Sequence, residues 1–396
     1  MQTFSEDTHS PRADFPQDAQ QDRGFQQGAE QDRAGRPRKR LNPTLGKARN
    51  MLRDALREAG IDPRPAQGPL PLLLVACSGG PDSLALAEAA SFFARRGDYR
   101  VGAVVVDHSL QPGSDAVAAG AAAKLRRMGL DPVSVRTVQV PATGMGPEAA
   151  ARTARYEALD AAVAEYGADA VLLGHTLDDQ AEQVLLGLAR GSGTRSLAGM
   201  RAVRGNYLRP FLALRRSETV EICASEGLDP WNDPTNTDPA FARSRVRAEV
   251  LPFLEEKLGP GIAEALFRSS RILANDADYL DSVSAETFER LRTNGAGGPG
   301  AAAADAGTIL LPEAELRGLA PAVRQRVLAL AAVSLGAAQP SYERLRSVEA
   351  LLRREGSAGP VELVGKVSVY RQVRTNPVPQ GGSGYGNLVF RKKSST

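Results

Sequence analysis

From residue 70 onward the chain alternates short, unbroken apolar runs with longer stretches rich in alanine and leucine. The runs at 71–77 (PLLLVAC), 101–106 (VGAVVV), 133–138 and 169–174 (DAVLLG) predict strands. The runs at 71–77, 101–106 and 169–174 do not alternate apolar with polar positions, so these strands are expected to be buried on both faces, as in a parallel sheet. Between them, 84–94, 115–128, 147–166 and 177–189 carry helical spacing. Strand followed by helix, repeated, predicts an α/β fold with a doubly wound, mostly parallel sheet.

The pattern changes on either side of this block. Residues 1–40 are dominated by Gln, Asp, Arg, Gly and Pro, end in a basic knot (RPRKR, 36–40), and hold too few apolar groups to fold. A leading amphipathic helix follows at 41–61, with Leu52, Ala55 and Leu56 on one side. Beyond Pro252 the predicted elements are helices at 262–291, 321–335 and 342–354. A Gly/Ala insert lies at 294–307, and short strands at 361–373 and 386–391 are joined by a Pro/Gly/Ser-rich loop. The expected organisation is a disordered extension (1–40), a leading helix and linker (41–69), an α/β catalytic domain (70–252), and a second, smaller, mostly helical domain with short C-terminal strands (253–396).

Composition narrows the classes. A chain of 396 residues holds two cores. A net charge of +3 is too small to argue for nucleic acid by itself, so clusters of arginine matter more than the total. Two isolated cysteines, Cys77 and Cys223, make no disulfide framework and no zinc or iron–sulfur site. No apolar run has membrane-spanning length and no signal pattern opens the chain, so the expectation is a cytoplasmic protein without membrane partners.

The chemistry starts at Ser78, Gly79, Gly80, Pro81, Asp82 and Ser83, between the first apolar run and the first helix. Adjacent glycines let backbone N–H groups approach an anion, and the helix adds the positive end of its dipole. Asp82 repels an anion, so it suits a site that also holds a cation or an attacking group. Asp107 and His108 close the second strand. His175, Asp178, Asp179 and Glu182 follow at helical spacing around an N-cap at Thr176. Several carboxylates on one face call for a cation, Mg²⁺ or a substrate ammonium. Glu148, Arg152 and Arg155 form a third helical set, suited to phosphate or to a surface ion pair. Arg209, the turn-rich 231–239 (WNDPTNTDP), and Arg243, Arg245 and Arg247 form a basic edge suited to nucleic-acid phosphate.

The string SGGPDS resembles the loop of the N-type ATP pyrophosphatases; it is neither a Walker A loop nor a dinucleotide fingerprint. Joined with VDHSL (106–110), EAAARTARY (148–156), LGHTLDDQAEQVLLGLARGSG (173–193), RPFL (209–212) and DPTNTDPAFARSRVR (233–247), it resembles the tRNA-Ile lysidine synthetase family over about 72–252. One departure is Ser109, where that family often has glycine.

The resemblance implies a PP-loop ATPase fold of the adenine nucleotide alpha hydrolase type. It implies ATP and Mg²⁺ as cofactors, with free L-lysine and a CAU-anticodon tRNA-Ile as substrates. ATP would adenylate the wobble cytidine, and the lysine ε-amine would then displace AMP, changing identity from methionine to isoleucine. On that reading Ser78 to Ser83, Asp107 and His108 hold the nucleotide, and Asp82 with Asp178 or Asp179 holds Mg²⁺. The acidic set with His175 and Glu182 orients lysine and takes its proton, and Arg152 and Arg155 steady the base or phosphate. Arg209, Arg243, Arg245 and Arg247 grip the tRNA. How the acids divide between metal, lysine and base is left open, as is a homodimer. The rivals are a tRNA 2-thiolation enzyme, disfavoured by the lack of paired cysteines, a small-molecule amidating synthetase, and a non-catalytic tRNA-binding protein.

Overall fold

The computed structural model describes residues 42–65, 68–109, 113–139, 147–191, 193–233, 238–296, 307–372 and 386–393, with backbone alone at 147–148 and 294–296. The extension at 1–40 with its basic knot, Leu110, positions 234–237, most of the Gly/Ala insert and the loop at 373–385 lie outside the described residues.

The first layer is a sheet of β1 (Leu72–Ala76), β2 (Arg100–Asp107), β3 (Val133–Thr137), β4 (Ala170–Leu173), β5 (Val203–Arg204) and β6 (Tyr207–Leu208) in the order β3-β2-β1-β4-β6-β5. All pairings are parallel except β5 with β6. The chain leaves β1 toward β2 and β3, then returns to the other side at β4. The crevice beyond the carboxyl ends of β1 and β4 is therefore the switch point of the sheet, where ligands bind in such folds.

Burial of both faces explains the unbroken apolar runs. Leu73 and Val75 pack into a core with α1 (Pro43–Glu58), α2 (Pro81–Arg95) and α3 (Ser114–Arg127). Leu72, Leu74 and Ala76 face the other way, onto Leu159 and Ala162 of α4 (Pro147–Tyr166). The leading helix buries Leu45, Ala48, Leu52 and Leu56, one stripe at helical spacing.

Next come α5 (Leu177–Ala189), α6 (Thr194–Leu197), α7 (Arg216–Glu226), α8 (Ala242–Arg245), a π-helical turn at Val246–Val250, α9 (Leu251–Leu258) and α10 (Ile262–Ala296). The π turn has a local cause: Pro252 carries no N–H and its ring crowds the carbonyl four residues back, so the ladder slips by one. α10 has 35 residues and is roughly 50 Å long at 1.5 Å per residue. Near its start Ala263, Leu266 and Phe267 pack on Leu177, Ala181 and Leu185 of α5. Near its end Phe288 and Leu291 enter the second core.

That second core joins the expected helices to a small sheet with more strands than the sequence indicated. β7 (Thr308–Pro312), α11 (Glu313–Gly318), α12 (Pro321–Ser334), α13 (Tyr342–Arg353), β8 (Val361–Leu363), β9 (Val367–Arg371) and β10 (Asn387–Lys392) complete the chain. The strands form an antiparallel sheet, β7-β10-β9-β8. The single strand read at 361–373 is a hairpin, broken where Gly365 (φ 100°) and Lys366 (φ 61°) turn left-handed. β7 went unread because its five residues follow the glycine-rich insert. Leu311, Val367, Val369, Leu388 and Phe390 pack on Leu328, Ala332, Val348 and Leu352 of the helices. No helix among the described residues is long and apolar enough to cross a membrane.

Candidate active site

The loop after β1 is held from below. Gly79 takes φ 83°, its backbone is buried, and a Cβ there would sit 3.3 Å from that of Ala121. Ser83 Oγ donates to the Gly80 carbonyl (3.0 Å) and accepts from the Ser78 N–H (3.3 Å), which closes the loop on the first turn of α2. The Cys77 thiol lies under the loop, accepting from the Gly79 N–H at 3.4 Å. Gly80 is the N-cap of α2 and Pro81 its first residue, a position where a missing N–H costs nothing. The Trp231 N–H donates to the Gly79 carbonyl (2.9 Å), placing the start of the 231–239 segment over the loop.

β4 delivers the second part of the site to the same edge. Gly174 is required there, because a Cβ would lie 2.9 Å from the Asp82 carbonyl oxygen. Thr176 caps α5, and Asp179 Oδ2 accepts from its N–H (2.8 Å) and its hydroxyl (3.0 Å). Asp178, Asp179 and Glu182 are all buried.

The cation that these carboxylates require is three guanidiniums. Asp179 Oδ1 accepts from Arg216 (3.0 Å), Arg243 (3.0 Å) and Arg247 (3.4 Å). Glu182 accepts from the same three, at 3.2 Å from Arg216 and 2.8 Å from the Nε of both Arg243 and Arg247. Arg216 Nε also reaches Asp82 at 3.4 Å, while the Thr219 hydroxyl donates to the other Asp82 oxygen at 2.5 Å. Asp82, Asp179 and Glu182 against Arg216, Arg243 and Arg247 make an electroneutral network. Asp178 is engaged separately, by the Arg216 N–H (2.7 Å) and the Arg215 guanidinium (3.2 Å).

This arrangement revises two expectations. Among the described residues no three His, Cys, Asp or Glu groups are placed to hold a metal ion, and Asp82, Asp178 and Asp179 do not form a cage for Mg²⁺. Their oxygens already accept from arginine, threonine and backbone donors. Nor is the 243–247 run an open basic edge. Arg243 and Arg247 turn inward, and Arg245 is exposed with its guanidinium on the carbonyls of Pro239 and Ala240. Sequence reasoning missed Arg216, Arg215 and Thr219, at the start of α7. The available signal was the acid excess on α5 set against the paired arginines of LALRRSE.

Arg155, His108 and His175 form the other side of the crevice. Arg155 is half-buried with no hydrogen-bond or ion-pair partner among the described residues, and burial lowers its pKa. Burial, then the charge of Arg155, lowers the pKa of His108. Burial brings His175 down to about 3, against the pull of Asp179. The Nδ1 atoms of both histidines are buried without a partner. Asp107 is buried, with Oδ1 accepting from the Ser109 N–H at 2.9 Å. Ser109 sits at φ 51°, the conformation that glycine adopts without strain. For Asp179, burial raises the pKa but Arg216 and Arg243 outweigh it, giving about 2. Burial raises the Asp82 pKa despite Arg216 and Thr219.

Arg152 and Arg209 stand apart from this network. Arg209 is 4% exposed and donates to the Arg201 carbonyl (2.9 Å) and the Tyr156 hydroxyl (3.3 Å). Arg152 lies over the Tyr156 ring, 5.2 Å from its centroid. Both line a separate cavity.

The His175 shift has a testable consequence. Its folded pKa lies below its unfolded value, so the unfolded chain takes up the proton first and stability falls as pH drops from 6.5 toward 3. At pH 5.5 the expected loss is about 1.4 kcal/mol relative to neutral pH. Urea unfolding across pH 7 to 5 is the measurement, and His175→Gln should flatten the slope. Asp179 adds its own loss only between 3.8 and about 2.

Comparison with known proteins agrees with this layout. Residues 64–254 match the PP-loop domain family and 311–373 match the TilS substrate binding domain family. The tRNA(Ile)-lysidine synthase of Leifsonia xyli is 51% identical over 304 residues, covering 76% of this chain and 87% of its own. That of Streptomyces coelicolor is 48% identical over 316 residues, covering 78% and 86%. The solved U34-tRNA thiolase NcsA from Methanococcus maripaludis superposes with a TM-score of 0.49 at 18% identity, covering 61% of this chain and 83% of its own. A PP-loop at the switch point, a TilS domain beyond the long helix and half the residues shared across most of a relative's length place this chain in the tRNA(Ile)-lysidine synthase family.

Proposed function

We propose that the protein ligates free L-lysine to the wobble cytidine of a CAU-anticodon tRNA-Ile in the cytoplasm, using ATP. The cytidine O2 attacks the α-phosphorus of ATP and pyrophosphate leaves. The lysine ε-amine, having lost a proton, then attacks C2, and AMP leaves. The observation that carries this reading is identity of about half the residues with lysidine synthases over 87% of a relative.

The residues support the two steps. Gly80 and the first turn of α2 offer backbone N–H groups to the departing pyrophosphate, and Ser78 adds an exposed hydroxyl. Arg155, without an anionic partner among the described residues, is suited to the α-phosphate. His175, held neutral, hydrogen-bonds well but is a weak base. Asp82, whose pKa burial raises, is the better proton acceptor for the lysine ammonium. Mg²⁺ would ride on the triphosphate's own oxygens, its usual ligands, rather than in the acidic set. Asp107 and His108 close the neighbouring strand β2, from which they would reach the nucleotide.

Sulfur transfer fits poorly. Cys77 and Cys223 are 3% and 1% exposed, and burial raises both thiols above the usual range. A sulfur carrier needs an accessible thiolate.

The deciding experiment incubates the protein with ATP, Mg²⁺, labelled lysine and a CAU-anticodon isoleucine tRNA transcript. Label should enter the tRNA, with one AMP and one pyrophosphate per lysine. Folded protein that binds the tRNA yet transfers no lysine would overturn the proposal.

A further inference from the structure

Beside the crevice lies a cavity of about 720 Å³, walled by α4, by the stretch from Arg195 to Leu212 and by α10. Six arginines line it against one carboxylate, that of Asp278. Arg152, Arg204 and Arg271 line it with no acidic partner among the described residues, and Arg209 lies in its wall with Nε buried and unpartnered. Arg195 and Arg201 border it too, but spend their charge on α10: Arg195 on Asp278 (2.8 Å) and Asp281, Arg201 on Asp278 (2.8 Å). Leu212 and Phe267 supply an apolar surface.

The wall is held firmly. The Gln180 side chain donates to the Met200 carbonyl (2.9 Å) and accepts from its N–H (2.6 Å), and Gly199 turns at φ 69° so closely that a Cβ would overlap the same amide. Gln180 stands on α5 between Asp179 and Glu182, so one helix carries both the acidic network and the cavity wall.

We propose that this cavity seats an unpaired nucleotide of the RNA loop that presents the reacting base, an inference that rests on the RNA-modifying function above. The volume suits a nucleotide-sized ligand. A base would lie against Phe267 and Leu212, while Arg152, Arg204 and Arg271 meet the phosphates on either side. The same positive field repels a lysine ammonium, which leaves free lysine to the crevice around Asp82.

The test measures binding of a CAU anticodon stem-loop RNA over a salt series. Arg204 and Arg271 are exposed and have no partner among the described residues, so Arg204→Gln/Arg271→Gln should melt like the wild type. It should bind 10- to 100-fold more weakly, with a log K against log salt slope shallower by about 1.4 for two lost single-strand phosphate contacts. Phe267→Leu should weaken binding several-fold with the slope unchanged. Wild-type affinity and slope in the arginine variant would overturn the subsite. Loss in the arginine variant with none in Phe267→Leu would keep the phosphate contacts and overturn the base seat. Wild-type protein that failed to bind the RNA at all would instead remove the function on which the inference rests.

Discussion

Glu182→Gln should lower the free energy of unfolding by about 3–5 kcal/mol, the usual result of removing one partner from a buried ion network. Glu182 is fully buried and accepts from Arg216, Arg243 and Arg247. Glutamine keeps the shape but leaves three guanidiniums facing two carboxylates, and its amide N–H₂ points at cations. Urea unfolding measures the loss. Pairing Glu182→Gln with Arg243→Met should cost less than the sum of the two single changes, because the second relieves the charge imbalance of the first. Additive losses, or a change below about 1 kcal/mol, would mean that the network contributes no more than exposed pairs do. The lysidine assay separates stability from chemistry: at low temperature, where the variant is folded, an intact first step would make Glu182 a support for Arg243 and Arg247 rather than a reacting group.

Gly79→Ala should cut ATP-dependent adenylation by about 100-fold or more while leaving the protein folded. The residue turns at φ 83°, and an added Cβ meets Ala121 at 3.3 Å. A side chain forces the loop toward negative φ or pushes α3 back, and either moves the N–H groups proposed to hold the phosphate. A displacement near 1 Å is enough for a loss of that size. Pyrophosphate release with saturating tRNA is the readout, and melting temperature is the control. Activity within a few-fold of wild type would show that the loop does not hold the leaving group.

How much was legible depended on how local each cause is. α5 runs from Leu177 to Ala189 with Thr176 as its cap, as the spacing indicated, because cap and stripe lie within one continuous segment. The doubly wound sheet was equally legible, since three unbroken apolar runs separated by helices have few other ways to bury both faces. β7 was hidden by its neighbours: five residues after a glycine-rich insert show too little pattern. The hairpin of β8 and β9 was hidden because Lys366 turns left-handed with no local residue signal beyond one glycine.

The amino-acid order alone determined the switch-point crevice, the phosphate loop at its mouth and the acid-bearing helix beside it, because each follows from short-range spacing. It also required that some cation meet Asp179 and Glu182, since buried carboxylates do not stand unpaired. Tertiary structure alone decided which cation. Arg216 lies 34 residues from Glu182, and Arg243 and Arg247 lie 61 and 65 away. Contacts at such separations depend on how α7 and the π turn before α9 fold back across α5. The same folding brought α4, the 195–212 stretch and α10 around one basic cavity, a convergence that no periodicity along the chain records.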